Sequence, residues 1–251
     1  MQAMADKKNE LIQLPGGFFL PRRQLMRLSA MGLTSAICVG VSMQYNMMSL
    51  DLDLNRNPEL YKKMGIVGHL FSFSSWFGCS MWVSFVGGVV MFNNLPRHVF
   101  GKLQSHLFPR YFQFSLFLML MSAGSSLLWF FARAKISNID ESLQDLIKTN
   151  QTPLALQLSI ISMLAVNLLY FEPKTTALMF KRHVLEKKIG TGHEVGALRP
   201  TDPQIMEAWN KDEELKSLSK KFGMMHGCST LLNLITLCIG VAHIWWLSCL
   251  L

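Results

Sequence analysis

The chain is 251 residues long, half of them hydrophobic, with 24 Lys and Arg against 16 Asp and Glu and a net charge of +8. That charge would suit nucleic acid, but no basic patch is interleaved with exposed aromatics on a soluble module, so nucleic-acid binding is excluded. The five cysteines, at 38, 79, 228, 238 and 249, form no CxxC pair and give no disulfide framework.

Residues 1–27 carry five Lys and Arg, together with Asp6 and Glu10. The stretch Leu28–Leu50 follows, free of charge but diluted by Ser, Thr, Gln and Asn. A secretory signal places its basic residues directly before a short apolar core, and the long acidic-containing lead here argues against one. The spacing of Gly32, Ala36 and Gly40 instead predicts a weaker membrane helix that docks on others through small residues. Met26, Met31, Met43, Met47 and Met48 scatter around it and read as packing residues, not as a copper ladder.

Four further stretches contain no Asp, Glu, Lys or Arg: Gly65–Pro96, Tyr111–Ala132, Thr149–Phe171 and Phe222–Leu251. Each exceeds the roughly 20 apolar residues that a helix needs to cross a bilayer core. The expected fold is all-α, an integral membrane helical bundle. It has four strong spans at 66–92, 111–132, 152–171 and 226–249, and a fifth, weaker one at 28–50. Residues 1–63 read as an N-terminal extension and 64–251 as the main domain. With five spans, eighteen Lys and Arg fall on one side and six on the other; with four, the split is thirteen to eleven. The positive-inside bias favours five and puts 93–110 and 172–221 in the cytosol.

The cytosolic segment 172–221 reads as two helices. Lys174–Ile189 continues the third span and is amphipathic and Lys-rich, as suits an anionic leaflet. Gly190, Gly192, Gly196 and Pro200 break it, and Asp202-Pro203 forms an N-cap with Pro at the first helical position. The helix that follows carries Ile205, Trp209, Leu215, Leu218 and Phe222 toward the membrane or the bundle.

Polar residues at membrane depth are expensive and therefore informative. Arg97 and His98, Glu172 with Thr175 and Thr176, and His226 all fall at the cytosolic ends of spans, beside Pro96 and Pro173. Their chemistry suits a partly buried ion pair, a proton path, or a divalent metal held by Glu172, His98 and His226. The ion pair is the plainest of these, so no metal ligand set, catalytic residue or cofactor is assigned. His69 lies at the other end of the first strong span and reads as an interfacial anchor. Ser80, Ser84 and Gly88 share one helix face, and Gly223 and Gly227 are spaced for close helix approach. Asn167 and Asn233 are placed to hydrogen-bond between helices.

Several ordered strings resemble the transmembrane protein 205 family, particularly its plant and algal members. They are Trp82-Val83-Ser84-Phe85-Val86-Gly87-Gly88, Leu95-Pro96-Arg97-His98-Val99-Phe100-Gly101, Gln104-Ser105, and Leu107-Phe108-Pro109 with Tyr111-Phe112. Asn167, Glu172-Pro173-Lys174-Thr175-Thr176, Met179-Phe180-Lys181-Arg182-His183, Phe222-Gly223-Met224-Met225-His226-Gly227 and Asn233 continue the pattern. The resemblance spans roughly 64–251 and implies a compact bundle of about four membrane helices. It brings no established reaction or binding residues; members are linked to drug and metal-compound resistance and to endomembranes. Cys228 stands where the family pattern has an apolar residue.

The function expected from the sequence is non-enzymatic, in membrane organisation or protein interaction, with 174–189 and 203–221 as the partner surface. A small transporter or channel-like protein for a solute, proton or metal is the second reading, and a metal- or haem-binding redox protein the third. The expected partners are the lipid bilayer, a second copy of the chain or other membrane proteins. An endomembrane or plasma-membrane address is favoured over a plastid or mitochondrion.

Overall fold

The computed structural model describes residues 11–14, 18–21, 54, 56–137 and 143–249. The expected helix at 28–50 lies outside them. The chain divides into two compact units, Met1–Pro58 and Glu59–Leu251. In the first, β1 (Leu11–Leu14) pairs antiparallel with β2 (Phe18–Pro21), Leu11 opposite Pro21 and Leu14 opposite Phe18. The all-helical expectation did not include this ribbon.

The second unit is helical among the described residues. α1 (Pro58–Trp82) runs through a wide turn, Val83–Gly87, into α2 (Gly88–Asn94). α3 spans Arg97–Ile136 and α4 spans Leu143–Thr149. α5 (Gln151–Val166) runs through a second wide turn, Asn167–Phe171, into α6 (Glu172–Lys188). α7 (Pro203–Lys211) and α8 (Glu213–Ser248) complete the chain. Four rods are long and apolar enough to cross a membrane: Pro58–Asn94, Arg97–Ile136, Gln151–Lys188 and Glu213–Ser248. Their flanks expose Phe71, Trp82, Leu169 and Trp245, as a lipid-facing surface requires.

The rods outrun the expected spans at every end but the last, where the fourth stops at Ser248 against an expected 249. At 1.5 Å per residue the 40 residues of α3 measure about 60 Å, twice a bilayer's hydrocarbon core. The segment 93–110, expected between the first two strong spans, is interrupted only around Leu95-Pro96 and is otherwise helix. Charge stops a membrane span but not a helix, because Lys and Arg are good helix formers in water. Pro109 sits inside α3 and leaves the Ser105 carbonyl without its usual amide donor.

The wide turns are π-helical: the amide of Gly88 reaches the carbonyl of Val83, and that of Glu172 reaches Asn167, five residues back. Pro173 explains the second. It has no N–H and its ring would strike the carbonyl four residues earlier in a regular helix, a clash that a wider turn relieves.

α7 starts where Asp202 accepts hydrogen bonds from the amides of Gln204 (2.8 Å) and Ile205 (3.2 Å). Asp212 then caps α8 through Leu215 N (2.9 Å), so 203–221 is two helices with a break at Asp212 instead of one.

The core of the bundle is a layer of Phe73, Trp76, Phe112, Met119, Ile160 and Leu164. Helices meet closely at Gly65, where an added Cβ would lie 2.6 Å from Trp129 N, and at Gly240 against Trp76 and Phe77. At Gly223 and Gly227 a Cβ would meet nothing within 4 Å. Among the described residues no neighbouring helix backbone approaches the two glycines of that GxxxG spacing. Gly88 meets only the Val83 carbonyl of its own helix.

Candidate functional site

Polar side chains fill the bundle interior at three levels. At the end opposite the long basic segment, His69 is buried, not interfacial. The hydroxyls of Ser122 and Ser126 lie 2.9 and 2.8 Å from its Nδ1, and its Nε2 is 3.1 Å from Nε2 of His243. Gln157, fully buried, donates to Ser126 Oγ at 3.1 Å. The outer Nδ1 of His243 is buried with no hydrogen-bond partner among the described residues. Sequence reading missed Gln157 and His243. The spacing that places each on its helix's inner face, three residues before Ile160 and three after Gly240, was the available signal.

The middle level joins all four rods. Tyr111 donates to Asn233 Oδ1 (2.9 Å) and lies 3.0 Å from Ser80 Oγ, and Asn233 Nδ2 donates to Ser84 Oγ (2.8 Å). Asn167 Nδ2 donates to the Ser229 carbonyl at 3.3 Å. Both asparagines therefore bond between helices, worth about 0.6–2 kcal/mol each in a membrane. Ser84 and Asn167 stand on the two π turns, which set their facing.

At the basic end the six residues singled out from the sequence separate into two sites. Glu172, Thr175, Thr176 and His226 line one cavity of about 50 Å³, together with Gln104, Ser105 and Ser229 and an apolar wall of Phe108, Phe112, Met179 and Phe222. Glu172 is 8% exposed, and its carboxylate accepts a hydrogen bond from Thr176 Oγ1 at 2.9 Å. Among the described residues no cationic side chain pairs with it. The buried hydroxyl of Thr175 has no partner there either.

Arg97 and His98 form the other site. Arg97, 5% exposed, reaches Glu194 at 3.2 Å, Glu186 at 3.5 Å and Thr191 Oγ1 at 2.9 Å. His98 Nε2 donates to Glu186 Oε2 at 2.8 Å, and Arg182 Nε lies 3.3 Å from Glu186 Oε1. The imidazole of His183 packs on His98 with ring centroids 4.2 Å apart. Neither the Glu172–Arg97 pair nor a Glu172–His98–His226 set is formed, because α6 presents Glu172 and Glu186 nearly four turns apart. Glu186, Arg182 and Glu194 were missed. The repeated Arg-His pair at 97–98 and 182–183 and the His183-x-x-Glu186 spacing were the signal.

This second site is a lock between the loop after α6 and the start of α3. The exposed amides at a helix start need acceptors, and Arg97 N and His98 N donate to the carbonyls of Glu194 (2.9 Å) and Gly192 (3.0 Å). Gly192 adopts φ +109° and lies so close to His98 that an added Cβ would fall 2.1 Å from the ring. Only glycine fits. Burial opposes the charge on Glu194, but the Thr191 hydroxyl, the Gly192 amide and Arg97 outweigh it and hold the carboxyl below its ordinary value.

Residues 71–184 match a family model described as "Domain of unknown function (DUF4149)". The chain is also 29% identical over 180 residues to "Transmembrane protein 205" of Danio rerio, covering 70% of this chain and 88% of that one. These matches support the resemblance to the transmembrane protein 205 family. No solved structure matches it. The similarity to a transmembrane protein and the four apolar rods mark the chain as an integral membrane protein. The family match takes in both halves of the lock that precede the loop, α3 and most of α6.

Proposed function

We propose that the protein conducts or exchanges a proton or small cation, with the Glu172 cavity as its binding site at the basic, cytosolic end of the bundle. One observation carries this reading: a carboxylate buried at the end of a membrane rod, facing a polar cavity, without a cationic partner among the described residues. A structural role would call for an ion pair, and the available arginines are committed to Glu186 and Glu194. An ionisable group kept unpaired at such a position is costly, and function is the ordinary reason to keep it. The cavity's volume admits one or two waters. His226, Thr175, Ser105 and Gln104 supply further oxygen and nitrogen atoms for a hydrated cation or a relayed proton.

The polar groups of the middle level and the His69–His243 pair continue the interior toward the opposite end. The layer of Phe73, Trp76, Met119, Ile160 and Leu164 separates them in this conformation, so passage requires that layer to part. The reading of 203–221 as a partner surface has less support, since Trp209 and Leu215 are buried within the chain itself.

The test is reconstitution in liposomes holding a pH-sensitive dye, under an imposed proton or potassium gradient. The protein should raise proton or potassium flux above empty vesicles, and Glu172→Gln should return it to the empty-vesicle rate. Equal flux for the two proteins, or none for the unaltered one, rejects the proposal.

A further inference from the structure

We infer that His98, His183 and Glu186 form a binding site for a divalent transition metal, zinc by preference, at the lock between α3, α6 and the loop 190–196. The site is separate from the Glu172 cavity and does not depend on what that cavity carries.

The three side chains each offer one donor atom, and these atoms lie within 4.8 Å of one another. His183 and Glu186 are three residues apart on α6 and so share a helix face; His98 comes from the first turn of α3. A tetrahedral zinc with bonds near 2.0–2.1 Å sets its donors about 3.3 Å apart. Small side-chain rotations reach that from the present geometry. The His98–Glu186 contact opens slightly from 2.8 Å, and His183 swings inward.

His183 is the decisive member. It is 6% exposed and, among the described residues, its imidazole makes no hydrogen bond, only ring contacts to His98 and Phe180. A neutral imidazole nitrogen not engaged in a hydrogen bond is available as a metal ligand. The ion pairs link Arg97, Arg182, Glu186 and Glu194 and do not involve His183.

The two oxygens of Glu186 divide the work. Oε1 faces Arg97 and Arg182, while Oε2 faces His98 and becomes a ligand when the metal replaces the proton between them, His98 keeping its other proton on Nδ1. Arg97 is also held by Glu194 at 3.2 Å, so the two guanidinium charges are matched by two carboxylates before a metal arrives. The added charge of the ion is met by the open fourth position, which a water or solvent anion fills as in other three-ligand zinc sites. The arginines fix Glu186 in the manner of supporting residues around metal ligands. Gly101 lets His183 lie against α3, since a Cβ there would fall 2.7 Å from its ring.

Purified full-length protein in micelles, stripped with a chelator, is titrated with Co²⁺ and then with Zn²⁺ in competition. One equivalent of Co²⁺ should bind with the intense visible absorption of a tetrahedral site, and Zn²⁺ should bleach it. His183→Ala should weaken binding by more than about 100-fold, the upper limit for losing a mere supporting residue. It should also leave the circular dichroism unchanged, because it removes no ion pair. Glu172→Gln, outside the site, should bind cobalt like the unaltered protein. Absence of a tetrahedral spectrum, or binding unchanged in His183→Ala, overturns the inference whatever the flux assay gives.

Discussion

Replacing Arg97 by Met keeps the volume and removes the charge, and it tests whether the lock holds the bundle together. Arg97 is 5% exposed and meets Glu194, Glu186 and Thr191 at 3.2, 3.5 and 2.9 Å. Removing one partner of a buried ion pair costs about 3–5 kcal/mol, because the other charge stays behind unpaired. Here Arg182 and His98 still face Glu186, and the Glu194 side chain is 13% exposed and reaches water. The expected loss is therefore at the lower end, about 3 kcal/mol, or more than a hundredfold in the unfolding equilibrium. Unfolding by SDS titration of the micelle-bound protein, followed by circular dichroism, measures it. The double variant Arg97→Met with Glu194→Gln should lose less than the sum of the two singles, since Glu194 has no partner to miss once Arg97 is gone. A loss for Arg97→Met below about 1 kcal/mol, the range of an exposed pair, would refute the argument.

Glycine packing gives a second prediction. Gly65→Ala places a Cβ against Trp129 and Ser125 main-chain atoms and should cost about 1–3 kcal/mol, whereas Gly223→Ala, with open space around it, should cost nothing in the same titration. A reversed order would mean that the helices meet on other faces. Acid supplies a third. Glu194 has its carboxyl held below the ordinary range, so its contribution is complete above its unfolded value of about 4.3 and is lost as pH falls through the lower folded value. The stability gap between the unaltered protein and Glu194→Gln should be flat from pH 7 to about 5 and close below about 4. A gap that widens on acidification contradicts the assigned partners.

The four membrane rods were legible because solvent writes itself into a sequence: a helix in lipid excludes Asp, Glu, Lys and Arg, and those residues collect where it ends. Rod lengths were not legible, since the Arg97–Arg110 stretch is polar enough for water and helical enough to extend α3. The Asp202 cap could be read because its partners are two and three residues away. Arg97 could not be assigned its partners, as Glu186 and Glu194 lie nearly a hundred residues downstream among several other carboxylates. His69 shows the same limit. Its neighbour His243 is 174 residues off, and a single imidazole near a span end looks the same whether it faces headgroups or another ring. Depth along a span is written in the sequence, but facing depends on packing.

The π turn before Pro173 has a consequence for the length of its rod. It holds one residue more than a regular helix would need, so the chain beyond it is rotated by roughly 100° relative to an uninterrupted helix. Closing that turn into a regular helix without removing a residue would swing Glu172 out of its cavity and Glu186 off its arginines together, whereas excising one residue between Asn167 and Phe171 would straighten the helix and keep both where they are. Both sites at the basic end therefore share one phase setting, and neither can be re-aimed without the other.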